Sequence, residues 1–345
     1  MLKSKIEWCD STWNPITGCR HKCPYCYARG IANRFVSRKG CHLVEPETYK
    51  ITRDDGTEIY EIDEQPYYVD DETGKQYKCA YPHGFVPTLH RYRMEEYRNK
   101  KRQRNIFVGS MADIFGEWVP DRWIREVFNA CEKVPQHNYL FLTKNPGRYM
   151  ELHHYGELPL RDNMWYGTTV TDPDTEYMGQ DGQYEFHTFL SVEPILADFG
   201  ELSEKSYIPE WIIVGAETGS RKDKVIPRRE WIENIVEQCR KYNIPVFMKK
   251  SLTDIWGEEL IQEFPEALIH RENVVSDPEL FLSVDRNEVK DPVAYCKSKH
   301  RYLTKKQMKI HKCLQIKCTG LERLKHSYWE ERQQIKDEAK RKRKQ

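Results

Sequence analysis

The three cysteines between positions 19 and 26 are the residues of this chain best suited to chemistry. The segment reads C-R-H-K-C-P-Y-C and places Cys19, Cys23 and Cys26 within eight residues. The intervening Pro, His and basic residues are typical of a loop and not of a packed core. Three thiolates on one short loop can bind one metal centre, whereas closed zinc sites and ordinary [4Fe–4S] sites use four ligands. The spacing therefore predicts a [4Fe–4S] cluster with one iron open to a small molecule.

The elements that position this loop follow a regular strand–helix rhythm from residue 105 onward. Apolar runs alternate with helical segments such as residues 121–134 and 227–242, an order that favours a parallel sheet with helices outside. The runs are 105–109, 139–143, 164–170, 186–192, 211–215 and 245–249. With one more strand before Cys19, the pattern predicts a full or partial (β/α) barrel of about six to seven parallel strands.

Residues 40–80 and 266–345 do not follow this rhythm. Turn signals at 54–57 and 71–74 separate Tyr-, Ile- and Thr-rich runs and predict a small β-hairpin insertion over residues 40–80. We therefore assign the barrel to residues 1–39 and 81–265, and a C-terminal extension to 266–345. From residue 302 onward the extension is expected to be helical and basic.

The amino-acid composition indicates the cellular compartment of the protein and which classes of partner it can have. The 345 residues are 39% hydrophobic and 32% charged, with a mean hydropathy of −0.82. No apolar run approaches the ~20 residues that span a bilayer, and no secretory signal is visible at the N-terminus. Eleven cysteines, an odd number, without an export signal favour a reducing compartment. We expect a cytoplasmic protein without a membrane partner.

The charge is unevenly distributed along the chain. Residues 297–345 contain 17 Lys and Arg against 5 Asp and Glu, whereas the whole chain has a net charge of only +1. The body is therefore acidic and the tail basic. A basic tail suits nucleic-acid binding through phosphate neutralisation. Docking of the tail as a solvated helix on the acidic body is the alternative.

The extension also carries residue types that bind zinc. They are Cys296, His300, His311, Cys313 and Cys318. Their spacing matches the usual C-x2–4-C and H-x3–5-H patterns only loosely, so that packing or one face of a helix is the alternative to an auxiliary metal.

The run from residue 13 to 29, W-N-P-I-T-G-C-R-H-K-C-P-Y-C-Y-A-R, resembles the cluster loop of radical S-adenosylmethionine (radical SAM) enzymes. Their hallmark is C-x3-C-x-aromatic-C. The longer pattern is similar to the spore photoproduct lyase-like branch, and the overall layout resembles a phage-associated group of radical-SAM-like proteins with no settled activity. Downstream, the resemblance includes residues 109–113, 143–144, 167–170, 191–194 and 214–219. It covers about residues 5–36 and 82–265.

The resemblance implies that the open iron binds the amino and carboxylate groups of SAM, and that one electron, supplied by a small flavodoxin or ferredoxin, releases a 5′-deoxyadenosyl radical. The substrate is unknown, and nucleic acid is one candidate. The implied cofactor contacts are Tyr25 near the adenine, Gly109 in the turn after the second strand, Ser110 and Asp113 at the methionine amine, Lys144 at its carboxylate, Thr168 or Thr169 at the ribose, and Glu193 at SAM or the substrate. The chain departs from the family in lacking the acid of the G-G-E-like turn, for which Asp113 is the expected substitute.

A non-catalytic metalloprotein is the alternative from another class. A fourth ligand, such as His21 or Cys9, would close the cysteine site around zinc or an iron–sulfur cluster. The polar strand ends also have structural alternatives, because Ser110 and Asp113 could cap a turn or helix. Lys144 could be an exposed loop charge, and Glu193 and Glu217 could be solvated or paired with arginines.

Overall fold

The computed structural model describes residues 4–177, 186–201 and 208–269, and the backbone of three short strands beyond them. The chain divides into two compact units, Met1–Asn273 and Val274–Gln345. The strands of the first unit are β1 (Ser11–Trp13), β2 (Ile16–Thr17), β3 (Cys41–Val44), β4 (Thr48–Thr52), β5 (Glu58–Ile62), β6 (Tyr67–Asp70), β7 (Gln76–Lys78), β8 (Thr88–His90), β9 (Asn105–Val108), β10 (Asn138–Thr143), β11 (Met164–Thr169), β12 (His187–Val192), β13 (Ile212–Val214) and β14 (Val246–Met248). Its α-helices are α1 (Tyr27–Arg34), α2 (Asp121–Glu132), α3 (Gly147–His154), α4 (Arg229–Lys241) and α5 (Thr253–Trp256).

A seven-stranded parallel sheet forms the body of the first unit. Its strand order is β1-β9-β10-β11-β12-β13-β14, so that each strand pairs with the next one in the series. The sheet is a half-barrel, which confirms the predicted partial (β/α) barrel. Because all seven strands are parallel and in sequence order, their carboxyl ends meet at one edge.

Side-chain alternation explains why these strands are buried on both faces. On β10, Leu140 belongs to an inner cluster with Trp8, Phe189 and Trp211, whereas its neighbour Phe141 packs on the outer side. Bulky aromatic side chains therefore fill the concave face of the half-barrel. The outer face is covered by helices such as α2 and α4, whose apolar stripes are buried. Strands covered on both sides need nearly continuous apolar sequence, which is the pattern that made them predictable.

The insertion contains the two expected hairpins, but they belong to different sheets. Strands β4 and β5 pair antiparallel around the first turn, and β6 and β7 around the second. The β6–β7 hairpin forms a three-stranded sheet with β3. The β4–β5 hairpin joins a four-stranded sheet in the order β2-β8-β5-β4, in which β5 pairs parallel with β8. Strand β2 directly precedes the cysteine loop, so the insertion is connected to the loop by backbone hydrogen bonds.

A buried carboxylate attaches this sheet to helix α2. Glu61 on β5 is nearly inaccessible to solvent and accepts hydrogen bonds from the Trp123 indole and from Arg91, the latter at 2.7 Å. It also forms an ion pair with Arg122. Burial alone would raise the pKa of Glu61, but the hydrogen bonds from Arg122, Trp123 and Arg91 outweigh it and lower the pKa.

Replacing Glu61 with glutamine is expected to lower the free energy of unfolding by about 2 kcal/mol, because it leaves cationic partners without a buried counter-charge. Asp63→Asn is the matched control, since Asp63 is half exposed and contacts Arg91 at the surface, where an ion pair contributes less than about 1 kcal/mol. Urea unfolding of both variants measures the difference. The lowered pKa stabilises the fold at neutral pH, and this contribution is lost as pH falls below the ordinary value of 4.5. The Glu61→Gln effect should therefore shrink in acid, and an effect independent of pH contradicts this account.

In the second unit, the described backbone consists of strands. Strand β15 (Ala294–Cys296) pairs antiparallel with both β16 (Arg301–Leu303) and β17 (Leu321–Arg323). We expected helix from residue 302, and at these positions the chain is extended instead, because pairing between distant segments overrides local propensity. The side chains of residues 270–345, including the five zinc-type residues named above, lie outside the described residues. No helix in the described part of the chain has the length and apolar character needed to cross a membrane.

Candidate functional site

The cysteine loop begins at a glycine for which the fold leaves no room for a side chain. Gly18 follows β2 with a φ of +89°, and a Cβ atom there would lie 2.4 Å from the backbone carbonyl of Val86. Its N–H donates to the carbonyl of Met111 at 2.9 Å. The first turn of the loop therefore packs closely against two segments, the one before β8 and the one after β9.

The three thiols are free and face the same space. Cys19, Cys23 and Cys26 are in no disulfide and are partly exposed, and all three line one cavity. The Sγ atom of Cys26 caps α1 by accepting the N–H of Arg29 at 3.4 Å. The amino end of a helix favours negative charge, so this is a suitable place for a sulfur that binds a metal as thiolate.

The cavity has a volume of about 220 Å³ and lies at the carboxyl edge of the half-barrel. Ten of the eleven sequence-predicted site residues line it: Cys19, Cys23, Tyr25, Cys26, Gly109, Ser110, Asp113, Lys144, Thr169 and Glu193. They come from the cysteine loop and from the ends of β9, β10, β11 and β12. Residues this far apart in sequence meet because parallel strands present their carboxyl ends on one side of the sheet.

Thr168 is the predicted residue that does not line the cavity. Thr169, its neighbour on β11, does. Side chains alternate along a strand, so adjacent threonines point to opposite faces of the sheet. Thr168 is fully buried, and its hydroxyl has no hydrogen-bond partner among the described residues. Of the two threonines, only Thr169 lines the cavity.

Asp113 connects the loop to two strand ends. Its Oδ1 accepts the Thr143 hydroxyl at 2.7 Å and the N–H of Phe115 at 3.1 Å. Its Oδ2 accepts the N–H of Lys144 at 2.9 Å and lies 2.7 Å from Nε2 of His21. Asp113 therefore connects the cysteine loop, through His21, to the segments that follow β9 and β10.

The Asn-Pro segment before the loop supports the turn after β9. The Oδ1 atom of Asn14 accepts the N–H of Met111 at 2.8 Å and the Ser110 hydroxyl at 3.2 Å. The Tyr27 hydroxyl donates to the carbonyl of Ser110 at 2.7 Å. At Gly109 the backbone turns with a φ of +83°, which favours glycine. The two ends of the long cysteine motif thus hold the same turn.

The cavity lining also contains Lys249, which the sequence did not single out. Lys249, directly after β14, forms an ion pair with Glu193 at the end of β12. Gly215 makes space for this pair, because a Cβ there would contact Lys249 at 3.1 Å and Glu193 at 3.3 Å. Glu217 also lines the cavity and is bound by Arg221 through two hydrogen bonds of 2.7 Å. Because Lys249 directly follows the last strand of the barrel, its position in the sequence could have predicted that it belongs to the site.

The electrostatics of the cavity suit a bound cation near the thiols. Burial raises the pKa of Cys19 to about 12, and the nearby charges of Asp113, Cys26 and Cys23 act in the same direction. Negative charge on the Cys19 sulfur therefore needs a positive centre close to it. Burial also lowers the pKa of Lys144, whose ammonium lies 5.5 Å from the centre of the Tyr25 ring.

The donor set fits a three-cysteine cluster site in chemistry and in placement on one loop. The thiols are not already drawn together, since among the described residues no three His, Cys, Asp or Glu side chains form a ready metal site. Binding would require the cysteine side chains to rotate toward one another. Of the two candidates for a fourth ligand, His21 lines the cavity. Cys9 is bonded to Ser4 at 3.5 Å, and burial raises its pKa to about 11.

Residues 3–266 match the family described as a protein of unknown function (DUF5131). No curated protein and no solved structure matches the chain. The matched region includes the whole half-barrel, the insertion and every residue of the cavity.

Proposed function

The chain belongs to the DUF5131 family of proteins of unknown function, and we propose that it is a radical SAM enzyme. One observation carries the proposal. Three free thiols, on a loop with the radical SAM spacing, share a single cavity with polar residues from four consecutive strand ends. A purely structural loop has no need for such a convergence at the edge of a barrel, where active sites lie.

In this proposal Cys19, Cys23 and Cys26 hold three irons of a [4Fe–4S] cluster. The reduced cluster, when bound, supplies one electron that cleaves a carbon–sulfur bond of SAM and yields a 5′-deoxyadenosyl radical. The protein orients the reactants and excludes water and oxygen. The cavity contributes to exclusion through its apolar floor, which includes Trp8 and Phe107.

The polar residues divide the recognition of SAM among them. Lys144 is the cavity cation suited to the methionine carboxylate, because it forms no ion pair among the described residues. The Ser110 hydroxyl donates to Asn14 and keeps lone pairs for an amine. Thr169 suits a ribose hydroxyl, and the Tyr25 ring suits the adenine. Glu193 and Lys249, across the cavity, suit the substrate or the outer part of SAM.

The partners follow from the chemistry. A small flavodoxin or ferredoxin is the proposed electron donor, and the basic tail makes nucleic acid the proposed substrate class. Binding to DNA or RNA should then weaken with rising salt and with removal of residues 297–345. If the protein does not bind DNA or RNA, or if the binding does not depend on salt, nucleic acid is not the substrate class. We propose a cytoplasmic location, in keeping with an oxygen-sensitive cluster.

A non-catalytic metal-binding module is the second candidate. It is favoured by His21, which lies between two of the cysteines in sequence and lines the same cavity. Three cysteines and one histidine are a common closed zinc set. A colourless, air-stable protein with one zinc per chain supports this candidate, whereas a brown protein with about four irons supports the enzyme.

The deciding experiment is anaerobic reconstitution of the full chain with iron and sulfide, followed by reduction and addition of SAM. We expect about four irons per chain and formation of 5′-deoxyadenosine. A protein that binds no cluster, or that binds one and never forms 5′-deoxyadenosine, refutes the proposed activity.

Lys144→Met is expected to weaken SAM binding by about 1.5–3 kcal/mol, or roughly 10- to 150-fold, because it removes a charge-assisted hydrogen bond from a partly buried site. Cluster content should be unchanged. Lys133→Met, an exposed lysine after α2, makes the same charge change outside the cavity and is the control. Isothermal titration of the reconstituted proteins with SAM measures both, and equal dissociation constants for the two variants contradict the role of Lys144.

A further inference from the structure

His21 has a structural setting that the three-cysteine proposal does not use. It lies inside the C-x3-C segment, lines the cavity and is about one-quarter exposed. Its Nε2 atom is 2.7 Å from Oδ2 of Asp113, and its ring meets Trp118 edge to face at 4.9 Å between centroids. These two contacts hold the imidazole in one position in the cavity that the three thiols also line.

The contacts of Asp113 show which ring nitrogen of His21 is already engaged by the protein. The carboxylate already accepts three donors, from the Thr143 hydroxyl and the backbone N–H groups of Phe115 and Lys144. The remaining contact of the carboxylate is with Nε2 of His21. The other ring nitrogen of His21, Nδ1, has no hydrogen-bond partner among the described residues.

Histidines that bind metals commonly have this arrangement, in which one ring nitrogen donates to a carboxylate while the other binds the ion. We propose that His21 is an exchangeable fourth ligand, which binds the open iron of the cluster through Nδ1 until SAM displaces it. The inference rests on the proposed radical SAM function. In the exchange the iron–nitrogen bond breaks, and the amino nitrogen and carboxylate oxygen of SAM bind in its place. The proton on Nε2 stays in its hydrogen bond to Asp113, and no electron is transferred.

Such a ligand would protect the open iron in the absence of SAM. A cluster with one unprotected iron can lose it or bind solvent, and a tethered imidazole occupies the position without closing the site permanently. Such a ligand also competes with SAM. Because SAM must displace His21, the apparent affinity of the protein for SAM is its intrinsic affinity multiplied by the fraction of molecules in which the iron is free.

The test is pulsed electron paramagnetic resonance of the reduced, reconstituted full chain, prepared with natural-abundance and with 15N-labelled histidine. We expect a strong nitrogen coupling in the absence of SAM that changes with the label, and its loss when unlabelled SAM is added. His21→Gln should abolish the coupling, because the glutamine amide can still donate to Asp113 but offers no imidazole nitrogen. His154→Gln, an exposed position at the end of α3, should keep it.

SAM binding provides a second readout that a structural role would not move in this direction. If His21 occupies the iron in about nine-tenths of the molecules, His21→Gln should bind SAM about tenfold more tightly. Free imidazole should restore a nitrogen coupling in that variant. A wild-type cluster with four irons and active SAM cleavage, but without a histidine coupling, overturns the inference and leaves the proposed function intact. Absence of any cluster refutes the proposed function and the inference together. The labelled wild-type protein decides the matter even if His21→Gln fails to fold.

Discussion

Replacing Cys19, Cys23 and Cys26 together with alanine is expected to abolish iron binding and 5′-deoxyadenosine formation while leaving the chain folded. The thiols are partly exposed and line a cavity, so their removal opens no void in the core. The main structural loss is the capping contact of Cys26 to α1, which contributes about 1 kcal/mol or less. Each single substitution should lower product formation by more than about 100-fold, which exceeds the loss typical for residues that only support a metal ligand.

The control is Cys41→Ala, because Cys41 lies on β3, is also free and partly exposed, and does not line the cavity. Iron and sulfide analysis, the visible absorption of the reconstituted protein and urea unfolding are measured on all variants. Four irons retained by the triple variant would show that the cluster, if present, is held elsewhere. Loss of a single zinc ion in the triple variant, with no SAM cleavage by the parent chain, would decide for the metal-binding module.

Gly18→Ala is expected to destabilise the protein by about 3 kcal/mol or more, and Gly30→Ala to stabilise it by about 0.5–1 kcal/mol. At Gly18 the backbone has a φ of +89°, and the added Cβ would lie 2.4 Å from a backbone carbonyl that cannot move without displacing β8. At Gly30, inside α1, no atom lies within 4 Å of the added methyl group. There alanine replaces the most flexible residue in a helix.

The two substitutions add the same methyl group twelve positions apart, so their opposite signs isolate the effect of the site. Urea unfolding of the iron-free proteins gives the free energy of unfolding for each. We also expect Gly18→Ala to lose cluster binding, because the first turn of the cysteine loop depends on its contact with Met111. A Gly18→Ala variant within about 0.5 kcal/mol of the parent chain, the range of ordinary surface substitutions, would show that the loop is not pressed against the fold as described.

Much of the barrel could be predicted because its signal is local. A strand buried on both faces needs a short apolar run, and a covering helix needs an apolar stripe, and each is visible in a window of a few residues. The predicted helix at 121–134 corresponds to α2, and the one at 227–242 to α4. The grouping of the site residues was also predictable, because strands in a parallel sheet place polar residues that end them at one edge.

Other features depend on contacts between distant segments. The role of Asp113 required His21, Phe115, Thr143 and Lys144 to be brought within hydrogen-bond distance. In the sequence, Asp113 appeared as the substitute for the acid of an expected glycine-rich turn, with a capping role as the alternative. The pairing of β5 with β8, which ties the insertion to the cysteine loop, involves residues separated by about 28 positions, and no local pattern indicates it.

The sequence by itself determined the three-thiol loop, the strand rhythm of the barrel and the set of polar residues at its edge. These follow from residue type and spacing along the chain. Only the tertiary structure decided that Thr169 and not Thr168 lines the cavity, that Glu193 is paired with Lys249, and that His21 is oriented by Asp113. There are two physical reasons. Side chains one residue apart on a strand point to opposite faces of the sheet. The role of a polar group also depends on which of its hydrogen bonds are already made by residues distant in sequence.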